Sequence, residues 1–253
     1  MKSKKIEFEN SRGDKLSARL DEPDSENANI SLLFAHCFTC SKNLKAVGQI
    51  SRALTEKGIT VFRFDFTGLG QSEGDFADST FSTDVKDLVA AANFMEQNEI
   101  PPGILMGHSL GGAAVLQAAG RIPSVKAVTT VGAPCNPDHV QHHMDHKLDE
   151  IQEKGEATVT LAGRPFKVRK EFLDDLKAQV MDETIRDLDK ALLIFHSPAD
   201  QIVGIDNAAH IYKLAKHPKS FISLDQADHL LTHEQDALYV GAVTAAWAER
   251  YFI

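Results

Sequence analysis

Cysteine, tryptophan, positive charge and long apolar runs are all scarce in this chain. Three cysteines among 253 residues are too few, and odd in number, for a secreted disulfide scaffold. The sequence therefore predicts reduced thiols, a reducing cytoplasmic setting, and a core that holds without bridges or metals. No apolar stretch approaches the ~20 residues of a membrane-spanning helix. Met1-Lys2-Ser3-Lys4-Lys5 is basic, but Ile6-Glu7-Phe8-Glu9 supplies no apolar segment of a secretory leader. With 27 Lys and Arg against 36 Asp and Glu, the net charge is -9, which argues against nucleic acid or an anionic membrane as partner. What is present is ordinary for a globular protein: 43% hydrophobic and 25% charged residues, enough for a sizeable core.

Short apolar runs alternate with helical patterns, the signature of an α/β fold with a mostly parallel sheet covered on both faces. Lys5 to Phe8 and Lys15 to Leu20 read as two opening strands joined by Asn10-Ser11-Arg12-Gly13-Asp14, a hairpin-type connection and hence an antiparallel start. Six further buried strands are predicted at Ile30 to Ala35, Thr60 to Phe64, Ile104 to Met106, Ala127 to Val131, Ala191 to Phe195 and Ser220 to Leu224. Helical spacing recurs over Leu44 to Lys57, Phe81 to Asn98, Ala113 to Arg121, Ala208 to Ala215 and Leu238 to Tyr251. Cys135 to Lys190 is too long and too polar for a normal crossover and reads as an inserted cap. Within it, Thr158 to Leu161 and Phe166 to Val168 flank Ala162-Gly163-Arg164-Pro165, a small hairpin between two polar helices. No repeat or linker divides the chain, so residues 1–253 are predicted to form one domain with a cap at about 135–190.

Chemistry enters at Gly107-His108-Ser109-Leu110-Gly111, which follows the apolar Ile104-Leu105-Met106 and opens onto the small-residue run Gly112-Ala113-Ala114. That is the setting of a nucleophile elbow, where flanking glycines let a helix cross close to a strand and leave the serine hydroxyl exposed. In an open α/β sheet, reactive groups gather at the carboxyl ends of strands. Asp200 follows one later strand and His229 the last, giving the chain order Ser, Asp, His. That order differs from those of the chymotrypsin and subtilisin scaffolds. A hydroxyl is a weak nucleophile at neutral pH; His229 would take the Ser109 proton and return it to the leaving group, while Asp200 holds the imidazole tautomer. Asp206 and His233 are the nearest rivals for the last two roles. No metal or organic cofactor is required.

Together with Leu33-Phe34-Ala35-His36-Cys37-Phe38 and Phe64-Asp65-Phe66-Thr67-Gly68-Leu69-Gly70-Gln71-Ser72, these segments make the chain resemble the α/β-hydrolase superfamily over nearly its whole length. The resemblance implies an α/β-hydrolase fold with a mostly parallel eight-stranded sheet. More narrowly, Phe34 to Lys42 with His217-Pro218-Lys219-Ser220-Phe221 looks like the hydrolase module that some bacterial proteins carry fused to an OsmC-type peroxidase domain. That likeness implies carboxylesterase-like hydrolysis of small esters, without fixing a natural substrate. It also implies an oxyanion hole from the backbone N–H groups of Phe38 and Leu110. The chain departs from many relatives in having Cys37 where glycine is common and Thr67 where arginine is common.

Other features read as structural. His36 and His108 flank the site and are expected to brace loops; His210 and His217 read as surface residues. The spacing of Gly68, Gly70 and Gly74 does not fit a dinucleotide loop and marks a turn. Cys37 and Cys40 form a C-x-x-C with no second pair to complete a zinc site, leaving Cys37 as an oxidisable thiol near the nucleophile. His139, His142, His143 and His146, at i, i+4 spacing, read as a polar cap helix rather than a metal site. The same triad also suits a thioesterase, a carbon-carbon hydrolase or a peptidase. From another class, the chain could be a non-catalytic partner of a peroxidase-type protein.

Overall fold

Strand after strand in the middle of the sheet buries every residue, as near-continuous apolar runs require when both faces are covered. A computed structural model describes residues 1–24 and 30–252. It begins with β1 (Lys2–Glu9), β2 (Lys15–Glu22), β3 (Ile30–Ala35), α1 (Lys45–Thr55), β4 (Ile59–Phe64), α2 (Phe81–Gln97), β5 (Ile104–His108), α3 (Leu110–Ala118) and β6 (Ala127–Val131). An insertion follows, holding α4 (Leu148–Lys154), β7 (Glu156–Leu161), β8 (Arg164–Arg169), α5 (Lys170–Lys177) and α6 (Met181–Arg186). The sheet resumes with β9 (Ala191–His196), α7 (Asp206–Leu214), β10 (Lys219–Ser223) and α8 (Glu234–Ala248).

Eight strands form one sheet in the order β1-β2-β4-β3-β5-β6-β9-β10. β1 and β2 are antiparallel to each other and β2 is antiparallel to β4; every other pairing is parallel. The edge strands are the exposed ones: β1 carries three lysines and β10 buries little, which discourages pairing with another chain. One apolar layer joins the sheet to α2 and α3, the other to α1 and α8. A reciprocal Thr80–Thr83 capping box starts α2.

All eight expected strands are present, with ends moved by up to three residues. The helices differ more. The helix expected from Ala113 begins at Leu110, immediately after Ser109, and the last helix begins at Glu234 rather than Leu238. The glycines of the elbow, which weaken helix propensity, are helical here because the sheet packs on them.

The insertion is less polar inside than its composition suggests. Ile151, Val159, Leu161, Val168, Phe172, Leu173, Leu176, Met181 and Ile185 are buried in the same layer as α2 and α3. The β7–β8 turn is only Ala162-Gly163, both at positive φ, the conformation of a two-residue hairpin turn whose twist suits the strands. Arg164 and Pro165, expected in the turn, begin β8 instead. The histidine-rich segment is not an α-helix. It is a 3₁₀ stretch, Pro137–Lys147, kinked at Met144, so the i, i+4 pairing is lost and the His139 ring meets His142 instead. Among the described residues, no group of three or more His, Cys, Asp or Glu is placed to hold a metal ion, and no helix is long and apolar enough to cross a membrane.

Candidate active site

Ser109 sits between β5 and α3 at φ 54° and ψ -125°, a backbone region that a non-glycine residue occupies only when its surroundings impose it. The close crossing imposes it here. A Cβ on Gly107 would lie 2.2 Å from the Gly111 carbonyl oxygen, and one on Gly111 would lie 2.5 Å from the Ala35 and His36 carbonyl oxygens. The Ser109 N–H donates to the Val131 carbonyl at 2.9 Å, fixing the turn to the neighbouring strand.

Asp200 and His229, 29 residues apart and on loops after β9 and β10, meet at this turn. The Ser109 Oγ is 2.9 Å from His229 Nε2, and His229 Nδ1 is 2.7 Å from Asp200 Oδ2. The other oxygen, Oδ1, accepts the N–H groups of Ile202 (2.8 Å) and Val203 (2.9 Å). Burial works to raise the Asp200 carboxyl, but the His229 hydrogen bond and these backbone donors hold it below the usual range. An ionised Asp200 requires the proton on His229 Nδ1, which leaves the Nε2 lone pair facing the serine hydroxyl. Of the rivals, Asp206 is the first residue of α7 and His233 precedes α8; neither joins the chain of hydrogen bonds.

Three buried histidines brace the loops around this relay. His108 Nε2–H donates to the His229 carbonyl at 2.6 Å, and His196 Nε2–H to the Val203 carbonyl at 2.7 Å. His36 Nδ1–H donates to the Cys37 carbonyl at 2.8 Å while its Nε2 accepts the Phe66 N–H at 3.3 Å; one neutral tautomer satisfies both. Burial, then the nearby His229, pushes His108 down to about 4. Burial also lowers His36 and His196.

The N–H groups of Phe38 and Leu110 donate to no protein acceptor among the described residues. Phe38 lines a cavity of about 330 Å³ together with Ser109, His229, Pro134, Val140, Leu161 and Leu230. Leu110 does not line it; it borders an adjoining void of about 10 Å³ with Phe76 and Phe172. A larger hollow of about 780 Å³, by Asn10, Phe94 and Arg121, contains none of these groups. The expectation of reduced thiols is corrected here. Cys37 and Cys40 are joined as a disulfide, and only Cys135 is free. Their Cα atoms are 5.3 Å apart across a tight turn, inside the range a bridge requires. A local crosslink of this kind needs no even-numbered framework, so the cysteine count no longer supports a reducing compartment.

Sequence reasoning missed the buried ion network that carries the loop after the disulfide. Lys42 Nζ meets Asp65 Oδ2 at 2.5 Å, with 1% and 0% of the side chains exposed. Asp65 also accepts the N–H groups of Lys42 and Gln71, and Arg63 joins the Lys42 carbonyl to Asp21. The signal available was Asp65 between two core phenylalanines, in Phe64-Asp65-Phe66.

The family model described as alpha/beta hydrolase fold matches residues 30–161, just over half of the chain. The chain belongs to the alpha/beta hydrolase fold family. Within it, an esterase domain from a Rhodothermus marinus protein is 51% identical, covers 100% of each chain, and superposes with a TM-score of 0.82. The uncharacterized protein YfhR of Salmonella typhi is 24% identical over 81% of this chain and 66% of its own length. Mouse mitochondrial palmitoyl-protein thioesterase ABHD10 is 25% identical over 76% of this chain and 65% of its own length. The chain thus spans just under two thirds of these curated relatives. Its sheet and helices follow the alpha/beta hydrolase fold.

Proposed function

We propose that the protein is a serine carboxylesterase that cleaves small acyl esters through an acyl-enzyme on Ser109, within one hydrolase domain that carries the 135–190 insertion as its cap. The observation that carries this reading is the unbroken hydrogen-bond relay from Asp200 through His229 to Ser109. In the first step His229 Nε2 takes the Ser109 proton as Oγ attacks the ester carbonyl, and Asp200 stabilises the imidazolium. The oxyanion that forms is received by the Phe38 and Leu110 N–H groups, which have no acceptor among the described residues. Collapse returns the proton to the leaving alkoxide, and the same histidine then activates water to release the acid. The positive end of α3, which begins at Leu110, favours the same developing charge.

The cavity supports a small substrate. Its volume of about 330 Å³ lies at the low end of ligand clefts, about 300–1,000 Å³. Its walls from the cap are His139, Val140, His143, Thr160, Leu161 and Ala162. The hydrolysis of p-nitrophenyl esters from acetate to decanoate, in the wild type and in Ser109→Ala and His229→Ala, tests the reading. Turnover of short chains, lost in both variants, is expected; turnover that persists in Ser109→Ala would remove the assigned nucleophile.

A thioesterase reading is favoured by one observation, the likeness to the relative named as a palmitoyl-protein thioesterase. Matched butyryl oxyester and thioester substrates separate the two. The oxyester is expected to turn over at least as fast, whereas a strong thioester preference would favour the second reading.

A further inference from the structure

Cys37, Phe38, Thr39 and Cys40 form a four-residue ring after β3, closed by the Cys37–Cys40 disulfide. We propose that this disulfide and Arg164 of the cap hairpin are positioning groups that hold the Phe38 N–H on the oxyanion. The inference rests on the serine-esterase reading above. An oxyanion donor is effective because it is aimed before the charge forms and does not reorganise. The Phe38 N–H has no acceptor of its own among the described residues, so its aim is set entirely by its neighbours.

Four constraints converge on those neighbours. His36 clamps the Cys37 carbonyl. The Cys40 N–H donates to the same carbonyl at 3.0 Å and closes the turn. The crosslink joins the two ends. Beyond Phe38, Thr39 is held at φ 58°, a conformation that a β-branched residue rarely adopts, and its carbonyl accepts from the Arg164 guanidinium. Arg164 is itself steadied over the Phe166 ring, 5.2 Å from its centroid. With the crosslink cut, Thr39 is free to relax towards extended backbone and the Cys37–Phe38 peptide plane turns with it. With Arg164 removed, the Thr39 carbonyl loses its partner and the cap loses its tie to the loop.

The bridge is also within reach of small thiols. Cys37 is buried, but Cys40 is half-buried and both line the substrate cavity. A dithiothreitol thiolate would attack Cys40 Sγ, and the S–S bond would break with its electron pair on Cys37 Sγ, which takes a proton. The reagent's second thiol then displaces Cys40 from the mixed disulfide. The protein gains two electrons and two protons as two thiols, and dithiothreitol becomes its cyclic disulfide.

The experiment compares oxidised and dithiothreitol-reduced wild type with the Cys37→Ser/Cys40→Ser pair, Arg164→Ala and Arg164→Lys. Thiol titration should rise from one group to three on reduction, since Cys135 is the free cysteine of the oxidised form. Reduction is expected to lower kcat about 10- to 100-fold at nearly constant KM, less than the about 10²–10³ for deleting a donor outright, because His36 and the turn hydrogen bond remain. The inhibition constant of a trifluoromethyl ketone, whose adduct on Ser109 carries an oxyanion, should rise by the same factor. Reoxidation should restore both values, and the serine pair should match reduced wild type and ignore the reagent. Arg164→Ala is expected to lose about threefold to tenfold in kcat, with partial rescue in Arg164→Lys. Appearance of three thiols with kcat and ketone affinity unchanged would overturn the proposal, even if the variants fail to fold. Fluorophosphonate labelling of Ser109 separates the two layers. Labelling equally fast in both redox states removes only this inference, and no labelling in either removes the serine-nucleophile reading and this inference with it.

Discussion

Replacing Asp200 by Asn keeps the shape of the side chain while removing its charge and changing the tautomer it imposes on His229. The Asn Oδ1 can keep the Ile202 and Val203 N–H groups now held by the carboxylate. The amide nitrogen then faces His229 Nδ1, across the 2.7 Å contact, and being a donor it requires a lone pair there. The imidazole proton moves to Nε2 and points at Ser109 Oγ, so the ring can no longer accept the hydroxyl proton. Flipping the amide would restore the productive tautomer but set the NH₂ group against two backbone donors, at about 1–3 kcal/mol for each partner left unsatisfied. The productive form is thereby about 10²-fold depleted or more, and loss of the carboxylate charge opposite the imidazolium adds further. The expected fall in kcat is about 10³–10⁴, or about 4–5 kcal/mol of barrier. Because the hydrogen-bond shell of the Asn is nearly complete, the thermal midpoint should move by only a few degrees. The assay is steady-state hydrolysis of p-nitrophenyl butyrate, with Asp206→Asn as the control that should stay within about twofold. A loss below tenfold in Asp200→Asn, or an equal loss in the control, would refute the assignment.

Lys42→Met leaves Asp65 buried without its cation and should cost about 3–5 kcal/mol in urea unfolding, whereas Arg52→Ala, in an exposed pair with Glu56, should cost under about 1 kcal/mol. His108 is depressed from 6.5 to about 4, so the folded state refuses a proton that the unfolded chain accepts. Its contribution is complete above pH 6.5 and disappears as pH falls to 4, a loss of about 3 kcal/mol. His108→Gln keeps a donor to the His229 carbonyl but cannot titrate, and its unfolding free energy should fall correspondingly less between pH 6.5 and 4; an unchanged slope would contradict the assignment. Gly111→Ala places a methyl 2.5 Å from two backbone oxygens and should destabilise by about 1–3 kcal/mol, read from the shift in denaturation midpoint.

The sheet was legible because its strands are buried on both faces and advertise themselves as apolar runs; β3 and β6 have the bounds expected from the residues alone. Ser109, Asp200 and His229 were legible because strand ends concentrate chemistry, and the structure brings the three together. Other features depended on contacts that periodicity does not encode. The start of α3 at Leu110 depends on glycines made helical by packing. The 135–190 segment looked polar because charged residues dominate its composition, while most of its apolar positions, such as Ile151 and Leu173, turn inward. The Cys37–Cys40 bridge escaped an argument based on counting cysteines, since a crosslink inside one turn needs only a 5.3 Å Cα separation. Arg164 donates to the Thr39 carbonyl from 125 residues away, a pairing that no local pattern announces.

The central claim is that Ser109 becomes acylated during turnover. Wild-type protein mixed with p-nitrophenyl acetate, quenched in acid within the burst and digested, should show one acetyl group on the peptide containing Gly107-His108-Ser109-Leu110-Gly111. Ser109→Ala should show none. Ester turnover with no acyl group on that peptide at any quench time, or acylation at another residue with Ser109 unmodified, would contradict the account.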